Sequence, residues 1–290
     1  MPVIRTDLAL EAHETCGAQD SKGIKVKRKR KKGAEITTVD ILNEDGEKRL
    51  GKSRGTYITI EAENMKYFED DERENICKLI GESLNMILDK HKIEGSVLAV
   101  GLGNRQITPD ALGPKVVSKI EVTRHLFEYM PESICEGARS VCAIAPDVLG
   151  NTGIETLEII RGINEKVKPE AIIAIDALAA GNPSRVGNTV QISDTGIHPG
   201  CGVGNRRSGL TKENLEIPVI AVGVPTVVDA GTIVYSALED AGEQNAEALA
   251  KKAGGADMMV TPKDIDMIIE TSADIVAHGI NLGLHKLSDD

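Results

Sequence analysis

The stretch Ala171-Ile-Ile-Ala-Ile-Asp-Ala-Leu-Ala-Ala180 begins with five consecutive apolar residues, which predict a buried β-strand over Ala171–Ile175. Comparable apolar runs occur at Val97–Val100, Ser140–Ala145 and Val219–Val222. Short, continuously apolar strands are typical of parallel sheets that are covered on both faces. We therefore predict an α/β fold in which a mostly parallel sheet carries helices on both of its faces.

The segments between these strands show helical periodicity. From Asp70 to Lys92, apolar residues recur three and four positions apart, as on one face of an amphipathic helix. Further helices are predicted at Ala111–Tyr129, Gly153–Asn164, Val227–Leu238 and Pro262–Leu284, and further strands at Thr56–Ala62 and Thr189–Ile192. We expect residues 56–290 to form one α/β domain.

The first 55 residues are more polar and follow a different pattern. Eight of the eleven residues from Lys22 to Lys32 are Lys or Arg, and apolar residues flank this basic run. The Lys32-Gly33 dipeptide is typical of a turn between two strands. We predict an N-terminal β-hairpin region whose outer face carries the charge. The alternative interpretation is a docking site for another subunit or for an acidic segment.

The composition excludes several classes of protein. The chain has 290 residues, only six aromatic residues and no Trp, so it lacks the rings on which single-stranded nucleic acids stack. Its formal charge of −11 disfavours binding to phosphate backbones and anionic membranes. No apolar run approaches the roughly 20 residues that span a bilayer, and no secretory signal is recognisable. Five cysteines without Cys-x-x-Cys spacing indicate neither a disulfide framework nor a zinc knuckle. We expect a cytoplasmic protein without direct nucleic-acid or membrane binding.

Two carboxylates follow predicted strands at the edge where binding sites form in α/β sheets. Asp110 comes after Val97–Val100 and a glycine-rich turn, and Asp176 directly follows Ala171–Ile175. Each has a structural alternative, because Asp110 could cap a helix and Asp176 could form an ion pair. If the two strands are neighbours, both carboxylates face one cleft. The candidate cleft residues are Gly101, Gly103, Asn104 and His198.

Such a pair of carboxylates suits the hydrolysis of a peptide bond. Two carboxylates in one partly buried site repel each other when both are ionised, so one tends to keep its proton. The ionised group can deprotonate an attacking water while the protonated group donates to the carbonyl oxygen or the leaving amine. This chemistry needs no cofactor. In the alternative, the pair binds a divalent metal with His198 as a third ligand.

The sequence gives little support for other kinds of functional site. The turn at Gly101 and Gly103 has Gln106 where a dinucleotide-binding loop needs a third glycine, which disfavours nucleotide binding. No P-loop, G-x-S-x-G or H-E-x-x-H motif occurs. Asp147 is a further carboxylate after a predicted strand, and we expect it to cap a helix or to form an ion pair.

Several motifs, in the same order along the chain, resemble the germination protease family of endospore-forming bacteria. They are Arg5-Thr-Asp-Leu-Ala-Leu-Glu-Ala-His13, Gly101-Leu-Gly-Asn104, Thr108-Pro-Asp-Ala-Leu-Gly-Pro114, Ile175-Asp-Ala-Leu-Ala-Ala180, Ser193-Asp-Thr-Gly-Ile-His-Pro-Gly200 and Gly202-Val-Gly-Asn205. The resemblance implies an atypical aspartic endopeptidase that degrades small acid-soluble spore proteins in the spore core during germination. The catalytic aspartates of the family fall on Asp110 and Asp176.

The resemblance also implies a fold related to hydrogenase-maturation endopeptidases, an inactive zymogen and a homotetramer. The bond that the zymogen would cut in itself is Asp7–Leu8, so residues 1–7 would be a propeptide and residues 8–55 the N-terminal segment. Two alternatives stay open: a metal-dependent maturation-type endopeptidase, and a non-enzymatic oligomeric protein whose basic hairpin binds acidic partners.

Overall fold

The computed structural model describes residues 5–17, 23–198, 208–253 and 258–285, in which nine strands form one sheet. The strands are β1 (Ile24–Lys31), β2 (Ala34–Ile41), β3 (Gly55–Glu61), β4 (Val97–Gly101), β5 (Val141–Ile144), β6 (Ala171–Ala180), β7 (Thr189–Ser193), β8 (Val219–Asp229) and β9 (Met259–Val260). The helices are α1 (Ala9–Thr15), α2 (Glu44–Leu50), α3 (Asp70–Lys90), α4 (Leu112–Val117), α5 (Arg124–Tyr129), α6 (Leu149–Thr152), α7 (Thr156–Val167), α8 (Lys212–Leu215), α9 (Ala230–Asp240), α10 (Ala246–Ala253) and α11 (Ile265–Leu284).

The sheet is mixed, so the prediction of a mostly parallel sheet was wrong in that respect. The strand order is β1-β2-β3-β7-β8-β6-β4-β5, with β9 also paired to β8. Among the described strands, only the pairs β4–β5, β4–β6 and β6–β8 are parallel. Strand β7 follows β6 after residues 181–188 alone, and a parallel crossover needs a dozen or more residues. The short connection therefore reverses the chain, and β7 pairs antiparallel with both β8 and β3.

Helices cover both faces of the sheet, as predicted. Along β4, Val97 and Ala99 join a large apolar cluster with α3, α4 and α11. Leu98 and Val100 point the other way and pack with Leu157 and other residues of α7. This alternation is what a strand buried on both faces requires. No helix in the described part of the chain is long and apolar enough to cross a bilayer.

The N-terminal hairpin forms at the predicted turn. Strands β1 and β2 pair antiparallel from Ile24↔Ile41 to Lys31↔Ala34, and the turn residues Lys32 and Gly33 both have positive φ, 52° and 81°. Such a turn has the twist that two antiparallel strands need. Lys22, the first residue of the basic run, lies outside the described residues. The hairpin continues the sheet, because β2 pairs with β3 and β3 with β7.

Several predicted boundaries were wrong, for tertiary reasons. The helix predicted at Ala111–Tyr129 is interrupted between α4 and α5. There the Glu121 N–H donates to the Asn281 side chain over 3.0 Å and the Thr123 N–H donates to the Val141 carbonyl over 2.9 Å. Strands β6 and β8 both run further than predicted because they pair with each other as far as Ala180↔Val228, so α9 begins at Ala230 rather than at Val227.

Candidate active site

The candidate site begins where strand β6 loses one of its two neighbours. Strand β4 pairs with β6 up to Gly101↔Ile175, and the Leu102 N–H donates to the Ile175 carbonyl over 2.8 Å. Beyond that point β4 turns away while β6 continues along β8. A crevice opens between the diverging chains, at the carboxyl ends of parallel strands.

Asp176 is the first residue of β6 beyond its pairing with β4. The sequence placed it at the end of a strand, whereas the structure places it within β6, opposite Gly223 of β8. Its side chain is almost fully buried, and its Oδ1 accepts a hydrogen bond from the Ala177 N–H over 2.9 Å. A carboxylate at such a position is costly to bury unless it is well partnered, which favours a functional role.

Asp110 reaches the same crevice from the loop that follows β4. It ends a short 3-10 turn, Thr108–Asp110, and its Oδ2 accepts a hydrogen bond from the Asn104 N–H over 2.7 Å. Gly103 allows this loop to close tightly, since a Cβ at that position would lie 2.0 Å from the Asp110 carbonyl oxygen. Gly101 is buried against the backbone of Gly113, where a Cβ would lie 2.2 Å from the carbonyl oxygen. Gly103 and Asn104 thus position Asp110, and Gly101 lets α4 pack closely against the end of β4.

A cleft of about 630 Å³ contains the predicted carboxylates. Asp110, Asp176 and Gly103 line it, together with Asp147. The carboxylate of Asp147 is held within its own loop at the start of α6, where Oδ1 accepts from the Val148 N–H over 2.8 Å and from the Asn151 side chain over 3.0 Å. Strands β4 and β6 are neighbours in the sheet, and Asp110 and Asp176 face the same cleft.

The N-terminal segment enters this cleft. Asp7 lines it, and the Asp7 N–H donates to the carbonyl of Ala179 on β6 over 2.9 Å. In return, the Ala179 N–H donates to Oδ2 of Asp7 over 2.8 Å. Leu8 is fully buried next to it, and its N–H donates to the Thr6 hydroxyl over 3.0 Å. The bond predicted as the self-cleavage site thus runs beside the strand that carries Asp176. Residues 1–4 of the predicted propeptide lie outside the described residues.

The surroundings of Asp7 change the acidity of its side chain. Burial disfavours the ionised form and raises the pKa of Asp7, and the nearby carboxylate of Glu11 adds to this effect. Lys52, the Ala179 N–H and His198 act in the opposite direction without cancelling it. Lys52 also donates from Nζ to the Thr6 carbonyl oxygen over 3.0 Å, so it holds the same segment.

Glu11 anchors the segment on its C-terminal side. Its buried carboxylate accepts hydrogen bonds from the N–H groups of Gly181 and Asn182, over 2.6 and 2.9 Å, directly after β6. Arg185 approaches the same carboxylate at 3.2 Å and also binds Glu14 and Glu61. The segment is therefore anchored at Asp7 by Ala179 and again at Glu11 by the residues that follow β6.

His198, the predicted third metal ligand, lines the cleft as an exposed side chain packed over Gly209. Within residues 5–17, 23–198, 208–253 and 258–285, no group of three or more His, Cys, Asp or Glu side chains is arranged to hold a metal ion. Residues 199–207, which follow His198, lie outside the described residues. The metal-dependent alternative stays a prediction.

Sequence reasoning missed Gln191 and Lys52. Gln191 of β7 is buried and lines the cleft. Its Nε2 donates to the Asp7 carbonyl oxygen over 3.2 Å, and its Oε1 accepts from the Ala9 N–H over 2.8 Å. The one signal in the sequence is a long polar side chain between the apolar residues Val190 and Ile192 of a predicted strand. Lys52 gives no such signal, because it follows a helix in a polar segment.

Comparison with known proteins identifies the family of this chain. The profile of the germination protease family matches residues 5–242. The germination protease of Clostridium acetobutylicum is 47% identical, over 98% of this chain and 96% of that protein. Those of Caldanaerobacter subterraneus subsp. tengcongensis and Clostridium tetani are 45% and 43% identical, each over 97% of this chain and at least 94% of the relative. The chain therefore belongs to the germination protease family and is a peptidase.

Proposed function

We propose that this protease is a self-processing endopeptidase of the spore core that starts the degradation of small acid-soluble spore proteins, using Asp110 and Asp176 to activate water. The observation that carries the proposal is that Asp7, whose carbonyl belongs to the predicted self-cleavage bond, lines the same cleft as both carboxylates. Family membership supplies the germination protease activity.

The position of Asp7 in the cleft supports the proposal that the N-terminal segment is the enzyme's own substrate. Its backbone is hydrogen-bonded to Ala179, which is three residues beyond Asp176 on β6. Proteases and other peptide-binding proteins commonly hold extended chains against a strand in this way. A propeptide so placed blocks the cleft until it is cut, which supports the proposal of a zymogen with residues 1–7 as its propeptide.

The chemistry of the proposed reaction follows from the two carboxylates. The ionised aspartate takes a proton from water, and the water oxygen attacks the Asp7 carbonyl carbon. The protonated aspartate gives its proton to the Leu8 nitrogen as the C–N bond breaks. One water is consumed, and a carboxyl group on Asp7 and an amine on Leu8 are formed. No covalent enzyme intermediate is needed.

The contacts of the segment also support acidic side chains in the substrate. The Asp7 carboxylate meets the Ala179 N–H, with Lys52 and His198 adding positive charge. The Glu11 carboxylate meets two backbone N–H groups and Arg185. Donors and cations placed in this way favour acidic residues on both sides of the cut bond. The local charge of the cleft, rather than the net charge of −11, would then select the substrate.

Replacing Asp110 or Asp176 by Asn tests the proposed mechanism. Asn keeps the shape of the side chain but cannot exchange the proton, so we expect each variant to lose at least about 10²–10⁴-fold in rate, on both the Asp7–Leu8 bond and a spore-protein substrate. Intact mass spectrometry of the purified chain during incubation at mildly acidic pH measures the loss of residues 1–7. The control is Asp147→Asn, whose side-chain oxygen still accepts the hydrogen bonds of its own loop. An Asp176→Asn chain that matures normally would overturn the mechanism.

Two further measurements separate the alternatives. Because the segment occupies the cleft of its own chain, the rate constant of processing should not depend on protein concentration. Activity should also survive dialysis against a chelator, whereas the metal-dependent alternative requires its loss. The non-enzymatic alternative, with a basic hairpin that binds acidic partners, predicts that no new N-terminus appears at all.

We also propose that the chain forms a homotetramer. Exposed apolar side chains on and beside α5 support a subunit contact there, including Phe127, Tyr129 and Met130. Apolar patches of this kind often mark interfaces in assembled proteins. Light scattering on the purified protein measures the assembly mass.

A further inference from the structure

Gln191 contacts both sides of the Asp7–Leu8 bond with one side-chain amide. Its Nε2 lies 3.2 Å from the Asp7 carbonyl oxygen, and its Oε1 lies 2.8 Å from the Ala9 nitrogen. The two contacts require opposite chemistry, since the carbonyl oxygen needs a donor and the N–H needs an acceptor. The amide therefore has only one orientation that satisfies both partners.

The side chain is fixed in place by the sheet. Gln191 is at most one-tenth exposed and pairs with Gly223 of β8 on one side and with Thr59 of β3 on the other. It therefore projects from a strand with neighbours on both sides rather than from a loop. Donors on such rigid supports cost little reorganisation when charge develops on the atom that they face.

We propose that Gln191 is a catalytic residue that stabilises the oxyanion formed on the carbonyl of the cut bond, both in self-processing and on substrates. This inference rests on the proposed function. When water attacks the Asp7 carbonyl carbon, the electrons of the C=O bond move to the oxygen, and the Gln191 Nε2–H donates to the resulting negative charge. The oxygen electron pair then re-forms the C=O bond, and the electrons of the broken C–N bond leave with the Leu8 nitrogen, which takes its proton from the protonated aspartate.

A purely structural role is the competing explanation. Ala9 is the first residue of α1, and its N–H belongs to the helix end that needs an outside acceptor. Gln191 could serve only as that acceptor. The two roles use different atoms, because the structural role needs Oε1 and the catalytic role needs the Nε2–H.

Gln191→Glu separates the two roles. The carboxylate keeps an acceptor for the Ala9 N–H but has no proton for the Asp7 carbonyl at neutral pH. We expect processing of the full chain to slow by about 10²–10³-fold, the usual cost of losing one oxyanion donor. As the pH falls, the buried Glu becomes protonated and regains a donor, so the rate relative to the unaltered chain should rise.

The processed enzyme allows a second readout, with a synthetic peptide of the sequence Arg-Thr-Asp-Leu-Ala-Leu-Glu as the probe. Gln191→Glu should lower kcat and leave KM nearly unchanged, because the acceptor for the peptide N–H is kept. Gln191→Ala loses both contacts and should lower kcat while raising KM. A loss confined to KM in Gln191→Glu would overturn the assignment.

The matched control is Thr59→Val. Thr59 is the cross-strand partner of Gln191, and its buried hydroxyl has no hydrogen-bond partner among the residues that the structure describes. Val changes the same patch of the sheet and removes no hydrogen bond among the described residues, so processing should continue at the unaltered rate. If Gln191→Glu also processes at that rate while Asp176→Asn is blocked, the role of Gln191 is wrong and the aspartate mechanism stands. If the unaltered chain never processes, the proposed function itself fails.

Discussion

A single residue, Gly103, determines the path of the loop that carries Asp110 to the candidate site. Its φ of +108° lies in the region that side chains with a Cβ avoid, and its backbone touches that of Asp110. The loop from β4 can then turn back so that Asp110 reaches the Asn104 N–H and the cleft. The position of the catalytic candidate thus depends on a residue that has no side chain.

We expect Gly103→Ala to displace Asp110. A Cβ would lie 2.0 Å from the Asp110 carbonyl oxygen, so the loop must move by about an ångström, and a shift of that size in a catalytic group can cost about 10²-fold in rate. Rates of self-processing, with thermal unfolding to monitor the fold, measure the effect. Gly150→Ala is the control, since a Cβ there has no heavy atom within 4 Å. Normal processing by Gly103→Ala would show that the loop is free to adjust.

At the scale of elements, helices α3 and α11 cross at unusually close range over one face of the sheet. Glycines on both helices permit the approach, and they are Gly81, Gly279 and Gly283. A Cβ at Gly279 would lie 2.6 Å from the Ile80 Cβ and 3.0 Å from the Cys77 carbonyl oxygen. Both helices are largely apolar on the facing sides and bury them in the main core. This crossing covers the sheet beneath β3, β7 and β8, which frame the cleft.

The substitution Gly279→Ala has two opposing effects on the free energy of unfolding. Helix propensity favours Ala by about 1 kcal/mol, but the clash with a neighbouring helix backbone typically costs about 1–3 kcal/mol. We expect the clash to prevail, so that the free energy of unfolding falls in chemical denaturation. Gly162→Ala on the exposed face of α7 is the matched control, because a Cβ there meets nothing within 4 Å, and it should raise the free energy of unfolding. Stabilisation by both changes would contradict the close crossing.

At the scale of the whole molecule, Asp194 joins three elements that are far apart in sequence. Its buried carboxylate, directly after β7, accepts from Lys90 Nζ at 2.7 Å, His91 Nε2 at 2.9 Å and the Thr56 N–H at 2.7 Å. Burial alone would raise the pKa of Asp194, but these hydrogen bonds outweigh it and lower the pKa below the ordinary value of 3.8. The N-terminal strands, α3 and the end of β7 are thereby linked through one side chain.

The sign of this pKa shift predicts the pH dependence of stability. A carboxylate with a lowered pKa stabilises the folded chain at all pH values above its unfolded pKa, and the contribution disappears as the pH falls through the folded pKa. Asp194→Asn should therefore lower the free energy of unfolding by about 2 kcal/mol at neutral pH, and the difference should vanish well below pH 3.8. Urea unfolding across this range measures it. Asp89→Asn, on the exposed surface of α3, should show little difference at any pH.

The family motifs and the apolar strands were sufficient to predict the α/β architecture, the hairpin and the presence of Asp110 and Asp176 in one cleft, but not Gln191 or Lys52. These features depend on local pattern, because five apolar residues in a row and a Lys-Gly turn have few alternative structures. The extended ends of β6 and β8 and the break before α5 were not predictable, since they arise from pairing with segments far along the chain.

The sequence alone thus determined the main strands, the long helices α3 and α11, and which carboxylates stand beside parallel strands. Tertiary structure decided that the sheet is mixed, that β4 leaves β6 at Ile175, and that Asp7 lies beside Ala179. The physical reason is the range of the interactions. Hydrophobic periodicity acts over a few residues, whereas the contacts between Asp7 and Ala179, or Gln191 and Ala9, join positions more than 170 residues apart. Only the folded sheet brings such groups within hydrogen-bonding distance.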